Sequence, residues 1–150
     1  MKSRFTLATL AIALLSLVPN LHAGCTNATI HGNWGFTGTG VVILATGAVP
    51  VAAVGSVHFD LEGNVSGDQN RSIGGGAGHE TFSGTYTIAG DCALSGAVNV
   101  YDDSGTLQRT TVLKGVVVNN GKGLRLIYDS ITLPNGAPLP SVLTLEGNKI

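Results

Sequence analysis

From Asn33 onward the chain is written in period two. Phe82-Ser83-Gly84-Thr85-Tyr86-Thr87-Ile88 is the clearest stretch. Phe82, Tyr86 and Ile88 fall on one side; Thr81, Ser83, Thr85 and Thr87 fall on the other. Alternation at this period fits a strand with one buried face, whereas a helix would scatter the same side chains around its axis. The pattern recurs over residues 33–44, where Trp34, Phe36, Val42 and Leu44 share a face, and over 51–61, where Ala53, Val57, Phe59 and Leu61 do. It continues over 65–73, 79–88, 92–101, 106–118, 124–132 and 141–147, and no segment here has helical periodicity. The connections are short and turn-rich: Glu62-Gly63-Asn64, a flexible loop over 74–78, Ala89-Gly90-Asp91, Asp102-Asp103-Ser104-Gly105 and Asn119-Asn120-Gly121-Lys122-Gly123. Only residues 133–140, with three prolines, form a longer loop. Eight strands so joined predict an all-β antiparallel meander, and closure into a small β-barrel best protects its edges. Such an interior is just filled by side chains or holds one small ligand.

The first residues stand apart. Lys2 and Arg4 precede an apolar run over 5–18, then Pro19 and Asn20, then Leu21-His22-Ala23. This is the pattern of a secretory signal peptide cleaved after Ala23. The run of about 14 residues is short of the roughly 20 that span a membrane, and no later segment is apolar enough. Residues 1–23 are therefore expected to be the signal peptide and 24–150 the β-barrel domain, secreted or periplasmic. Without Lys2 and Arg4 the formal charge falls from -1 to about -3, with no basic run, which argues against nucleic acid. Charged residues make up 11% while Gly counts 22, a bias that suits strands joined by tight turns. Cys25 and Cys92 are an even pair in an exported chain, which predicts a disulfide. His22-Ala23-Gly24-Cys25 also fits part of a lipoprotein processing site, and lipidation of Cys25 would leave Cys92 unpaired.

Three segments follow the early cysteine in order: Asn33-Trp34-Gly35-Phe36-Thr37-Gly38, Phe59-Asp60-Leu61-Glu62-Gly63-Asn64-Val65-Ser66-Gly67 and Gly84-Thr85-Tyr86-Thr87-Ile88-Ala89-Gly90-Asp91-Cys92. Together they resemble a group of small exported bacterial proteins of unassigned function, with G-x-Y/W-x-F, F-D-G-x-G-N-x-S-G and G-T-Y-T-V-x-x-D-C motifs. Leu61 and Glu62 depart from the second motif, within the turn. More distantly the group resembles barrels of the allene-oxide-cyclase and calycin type, which implies a barrel and says little about activity.

If the apolar face of each strand is the interior, several polar residues fall inside by parity. Arg71 lies with Val65 and Ile73, Glu80 with Phe82 and Tyr86, Arg109 with Leu107 and Leu113, and Tyr128 with Leu124 and Leu126. Buried charges are costly unless paired. Two readings follow: rim residues solvated near strand ends, or an anion or polar-ligand pocket lined by Arg71, Glu80, Tyr86, Arg109 and Tyr128, with Glu80 paired to Arg71 or Arg109. His31, His58 and His79 have no diagnostic ligand spacing, so no metal site and no cofactor is expected. No G-x-S-x-G motif is present, and the Gly74–Gly78 run precedes a strand rather than the helix a phosphate loop needs. Asn27, Asn64 and Asn70 begin glycosylation-like triplets, read as chance matches. On the outer face, Val41, Ile43, Val112, Val116 and Ile127 would form a patch if their strands are neighbours, which would suit a homo-oligomer.

Three roles fit these features. The first is a non-catalytic exported barrel that binds a small ligand or an envelope component. The second is an isomerase or cyclase with Glu80 or Tyr86 as acid or base and an arginine stabilising negative charge. The third is an interaction or structural module acting through its outer face or the 133–140 loop. The first two need an open cavity; the third predicts a filled interior.

Overall fold

The structure is a computed structural model that describes residues 24–150, so the expected signal peptide lies outside the described residues. Eight strands follow in order: β1 (Gly32–Leu44), β2 (Gly47–Phe59), β3 (Asn64–Ile73), β4 (Gly76–Ile88), β5 (Ala93–Asp102), β6 (Leu107–Val118), β7 (Gly123–Thr132) and β8 (Ser141–Lys149). Each pairs antiparallel with the next. β8 returns to β1, from Val42 opposite Ser141 to Trp34 opposite Lys149, and closes the barrel. The period-two pattern becomes an inside and an outside: Trp34, Phe36, Val57, Tyr86, Val98 and Leu124 are buried, while Thr81, Ser83, Thr85 and Thr87 face water.

One end is plugged. A four-residue helix, α1 (Asn27–Ile30), lies ahead of β1 and was not legible as periodicity, being barely one turn long. Its Ile30 is fully buried, and the Ile30 carbonyl accepts a hydrogen bond from Trp34 Nε1 at 2.7 Å. The plug is tied to two turns. Asn27 Nδ2 donates to the Leu61 carbonyl at 3.2 Å, and Cys25 is bonded to Cys92 beyond the β4–β5 turn, with Cα atoms 4.9 Å apart. The disulfide leaves no thiol at Cys25 for a lipid. Below the plug, Phe59 meets Trp34 and Tyr86 edge-on, with ring centroids 6.2 and 5.0 Å away. The Tyr86 hydroxyl donates to the Asp60 carbonyl and its backbone N–H to that of Gly63. The three motif segments thus meet at the closed end.

Two aliphatic residues assigned inward by parity are not. Leu44 ends β1 and Leu61 lies in the β2–β3 turn, and both are exposed. Alternation continues in sequence past the point where the neighbouring strand stops. The 74–78 loop is also shorter than expected, because Gly76 to Gly78 pair with Ile73 to Arg71 and only Gly74 and Gly75 turn the chain. Gly84 is a point of close packing. A Cβ there would sit 2.7 Å from Val98 Cα and nearer still to the Ala97 carbonyl oxygen. Both are backbone atoms, so Gly84→Ala is expected to cost about 3 kcal/mol, the upper end for overpacking. Urea unfolding of the variant checks this, and a loss under about 1 kcal/mol would refute the close approach.

The other end is looser. β7 and β8 pair only from Gly123–Asn148 to Ile127–Thr144, and a bulge interrupts β6–β7 between Val112 and Leu113. The loop after β7 folds back, with Leu139 N–H donating to the Ile131 carbonyl at 2.9 Å. Leu139 then covers a small cluster of Val42, Ile131 and Leu143. Outside, the expected patch is split. Val41 pairs with Pro50 and Val142, while Ile127 is separated from β1 by the Thr144–Thr39 pair. Val116 and Ile127 also lie beside the ion pairs Lys114–Asp129 and Arg125–Glu146. β8, placed between β1 and β7 by closure, is the reason.

Candidate functional site

β3, β4 and β6 each carry one charged residue on the inner face toward the looser end, and closure brings the three together. Arg71 Nε donates to Glu80 Oε1 at 2.8 Å. Arg109 grips the same carboxylate with both terminal nitrogens, Nη1 to Oε1 at 2.8 Å and Nη2 to Oε2 at 2.7 Å. Gln69 Nε2 adds a fourth hydrogen bond to Oε2 at 2.8 Å. The Glu80 side chain is 1% exposed, Arg109 15% and Arg71 27%, so the cluster runs from the interior to the mouth. Glu80 and Arg109 are inside, and Arg71 is at the rim.

Burial pushes the Glu80 carboxyl up, but the hydrogen bonds from Arg109 and Arg71, the Arg109 charge and the Gln69 amide outweigh it and hold its pKa at about 2. With four donors on two oxygens, the carboxylate is ionised and saturated. Two guanidiniums face the Glu80 carboxylate, and Asp102, its cross-strand partner on β5, sets a second carboxylate on the same face.

Beyond the cluster lies a cavity of about 60 Å³, measured as space open to the centre of a water molecule. That is about four to six times the roughly 10–15 Å³ needed for one water. Its wall is almost wholly apolar, with Phe36, Phe59, Phe82, Val98 and Leu126 among the lining side chains; Arg109, Thr111 and Tyr128 border it at the charged end. Thr111 is 1% exposed, and its Oγ1 has no hydrogen-bond partner among the described residues. Tyr128 sits next to the β6–β7 bulge, where it touches both apolar clusters. Burial raises its pKa; the Arg109 charge opposes this and the Glu80 charge adds to it.

The five residues expected to line a polar pocket therefore divide. Arg71, Glu80 and Arg109 form the cluster, and Tyr128 lies beside it. Tyr86 lines the same cavity but is six residues from Glu80 along β4, about 20 Å at strand rise. Its hydroxyl is committed to the Asp60 carbonyl, and burial raises its pKa, with the Asp60 and Glu62 charges adding. Gln69 and Thr111 were not singled out. Parity places Gln69 with Arg71 and Thr111 with Arg109, but an uncharged polar residue raises no alarm in a strand. The histidines lie elsewhere: His58 Nδ1 meets Asn33 Oδ1 at 2.8 Å, and His79 Nδ1 meets Asp103 Oδ1 at 2.6 Å, both on the exposed surface. Among the described residues no group of three or more His, Cys, Asp or Glu is arranged to hold a metal.

Fold and site together define a small closed β-barrel with an apolar interior and one charged end. The sequence matches no protein-family model. No curated protein matches it either. Among solved structures it is similar to EF1p2_mFAP2b bound to DFHBI, with a TM-score of 0.58 at 12% identity, over 82% of this chain and 95% of that one. At this identity the likeness establishes the barrel alone.

Proposed function

We propose that this chain is an exported, non-catalytic binding protein whose barrel takes up one small, largely apolar molecule. The observation that carries the reading is the interior cavity lined almost wholly by apolar side chains. The similar barrel EF1p2_mFAP2b was solved bound to DFHBI, which supports use of such an interior for a ligand. Export is supported by the disulfide. The faces of the barrel, apolar within and hydroxyl-rich without, are the reverse of those of an outer-membrane barrel. Membership of the exported group with the G-T-Y-T-V-x-x-D-C motif is part of the same proposal.

An isomerase or cyclase fits less well. Glu80 is a weak base at a pKa of about 2 and has no free lone pair, and the Tyr86 hydroxyl already donates to a carbonyl. Neither residue is placed to move a proton.

The test is thermal unfolding of the oxidised chain from Gly24 onward, with toluene, indole, isovalerate and benzoate at millimolar concentration. A ligand at a hundred times its Kd adds about 2.7 kcal/mol, which raises Tm by about 10 °C for a domain of this size. Val98→Phe, which fills the cavity, should abolish the shift while leaving the far-ultraviolet circular dichroism unchanged. If none of the four raises Tm, the interior is not a binding site for small apolar molecules.

A further inference from the structure

A molecule held inside the barrel has to pass its boundary somewhere, and the boundary is not equally firm all round. The closed end is tied by the Cys25–Cys92 bond and sealed by the fully buried Ile30. At the other end, on the side of β3, β4 and β6, four charge-assisted hydrogen bonds converge on Glu80. The side of β7 and β8 is held by much less. These two share the shortest register of any neighbouring strands, and it stops at Ile127 with Thr144. The cause is local. Leu113 pairs with Tyr128 but Val112 with Ser130, so Asp129 is the extra residue of a bulge just beyond that last pair. A bulge bends its strand and can terminate pairing. Past it, β7 runs on to Thr132 and β8 begins at Ser141 without pairing each other.

The 133–140 segment fills this gap. It is bonded within itself, Leu133 N–H to the Ala137 carbonyl at 2.9 Å and Gly136 N–H to the Leu133 carbonyl at 2.8 Å. Pro134, Pro138 and Pro140 stiffen it. Two backbone hydrogen bonds join it to the strands: Leu139 N–H to the Ile131 carbonyl at 2.9 Å, and Ile43 N–H to the Pro140 carbonyl at 2.8 Å. Its half-buried Leu139 covers Val42, Ile131 and Leu143. Tyr128 packs against that cluster and against the main core, and it borders the cavity. Leu139, the small cluster and Tyr128 thus lead in order from solvent to the interior. Outside, the exposed Ile127 and Val142 flank the gap with apolar surface. Resting on the binding role proposed above, we propose that the 133–140 segment is a strap that lifts as a unit and admits an apolar molecule between β7 and β8. Leu139 withdraws and Tyr128 turns aside, while the plug and the Glu80 cluster stay shut.

A thiol on the cavity wall tests the route, because a small apolar reagent has to enter to reach it. Val98→Cys supplies one on β5 in the oxidised chain. Its thiolate attacks the sulfenyl sulfur of methyl methanethiosulfonate and expels methanesulfinate, and intact mass follows the methyl disulfide formed. The labelling rate tracks the population of the open form. Leu139→Ala in this background is expected to raise the rate about tenfold or more. Pro138→Gly, an exposed change that loosens the strap without touching the core, is expected to raise it about threefold. Ile30→Ala removes a more deeply buried side chain at the closed end, where the disulfide still ties the plug, and should leave the rate within about twofold. If Ile30→Ala speeds labelling as much as Leu139→Ala, entry is through the plug or by general unfolding, and the strap is not the gate. If neither strap variant speeds labelling, the proposal is equally overturned. Faster labelling in both, with no rise in Tm from toluene, indole, isovalerate or benzoate, leaves the gate standing and removes the binding role.

Discussion

Glu80→Ala is expected to destabilise the barrel by about 3–5 kcal/mol, because it strands two guanidiniums against an apolar wall. Arg109, at 15% exposed, bears most of the loss, since water can reach Arg71 more easily. For a domain of this size the loss lowers Tm by about 10–20 °C. The effect depends on pH with a definite sign. The carboxyl has a pKa of about 2 in the folded chain against an ordinary value of 4.5. Its contribution is complete above pH 4.5, where both states are ionised. It drains away as pH falls from 4.5 to 2, because the unfolded chain takes up a proton that the folded one refuses. Urea unfolding of the parent and Glu80→Gln at pH 7, 4 and 2.5 measures this. The gap between them should shrink steadily with acid; a gap unchanged at pH 2.5, or under 1 kcal/mol at pH 7, would show that the four hydrogen bonds do not hold Glu80 as described.

Removal of the Cys25–Cys92 bond should have an effect of similar size by a different route. The linked residues are 67 apart in sequence, and chain entropy gives a loop of that length about 4 kcal/mol. The loss should begin locally. The disulfide, a few hydrogen bonds, the burial of Ile30 and the approach of Thr29 to Gly121 hold α1 over the closed end, so the plug should detach before the strands separate. Trp34 reports this directly. It is the single tryptophan of the sequence, is fully buried, and bonds through its indole nitrogen to Ile30. Paired Cys25→Ser and Cys92→Ser should shift its emission to longer wavelength at temperatures where the far-ultraviolet spectrum still reports strand. Simultaneous loss of both signals would mean that plug and barrel unfold as one unit.

Much of the site was present in the sequence as strand parity. Arg71, Glu80, Arg109 and Tyr128 each fall on the same face as neighbouring aliphatic residues, and their inward direction follows from that alone. Parity carries no information about height along the barrel axis. Tyr86 has the same inward parity as Glu80, yet it serves the closed end and bonds to the Asp60 carbonyl. Thr111 shows the opposite failure: its direction was readable, but an unpartnered oxygen is a property of its surroundings. The outer patch divides for a related reason, since the order of strands around the barrel puts β8 between β1 and the paired β6 and β7.

By itself the sequence determined that the chain forms strands, where most of them turn, and which side of each is greasy, because these are local consequences of a two-residue repeat and of turn chemistry. Only the tertiary structure decided that Glu80 is gripped by both arginines and that a hydroxyl is left over beside a cavity. Those facts depend on register between strands: the β3–β4 hairpin sets Gln69 opposite Glu80, and Arg109 reaches it across β5. Register is set by the geometry of each turn and by how the inner faces pack, which a two-residue repeat read along one strand does not contain.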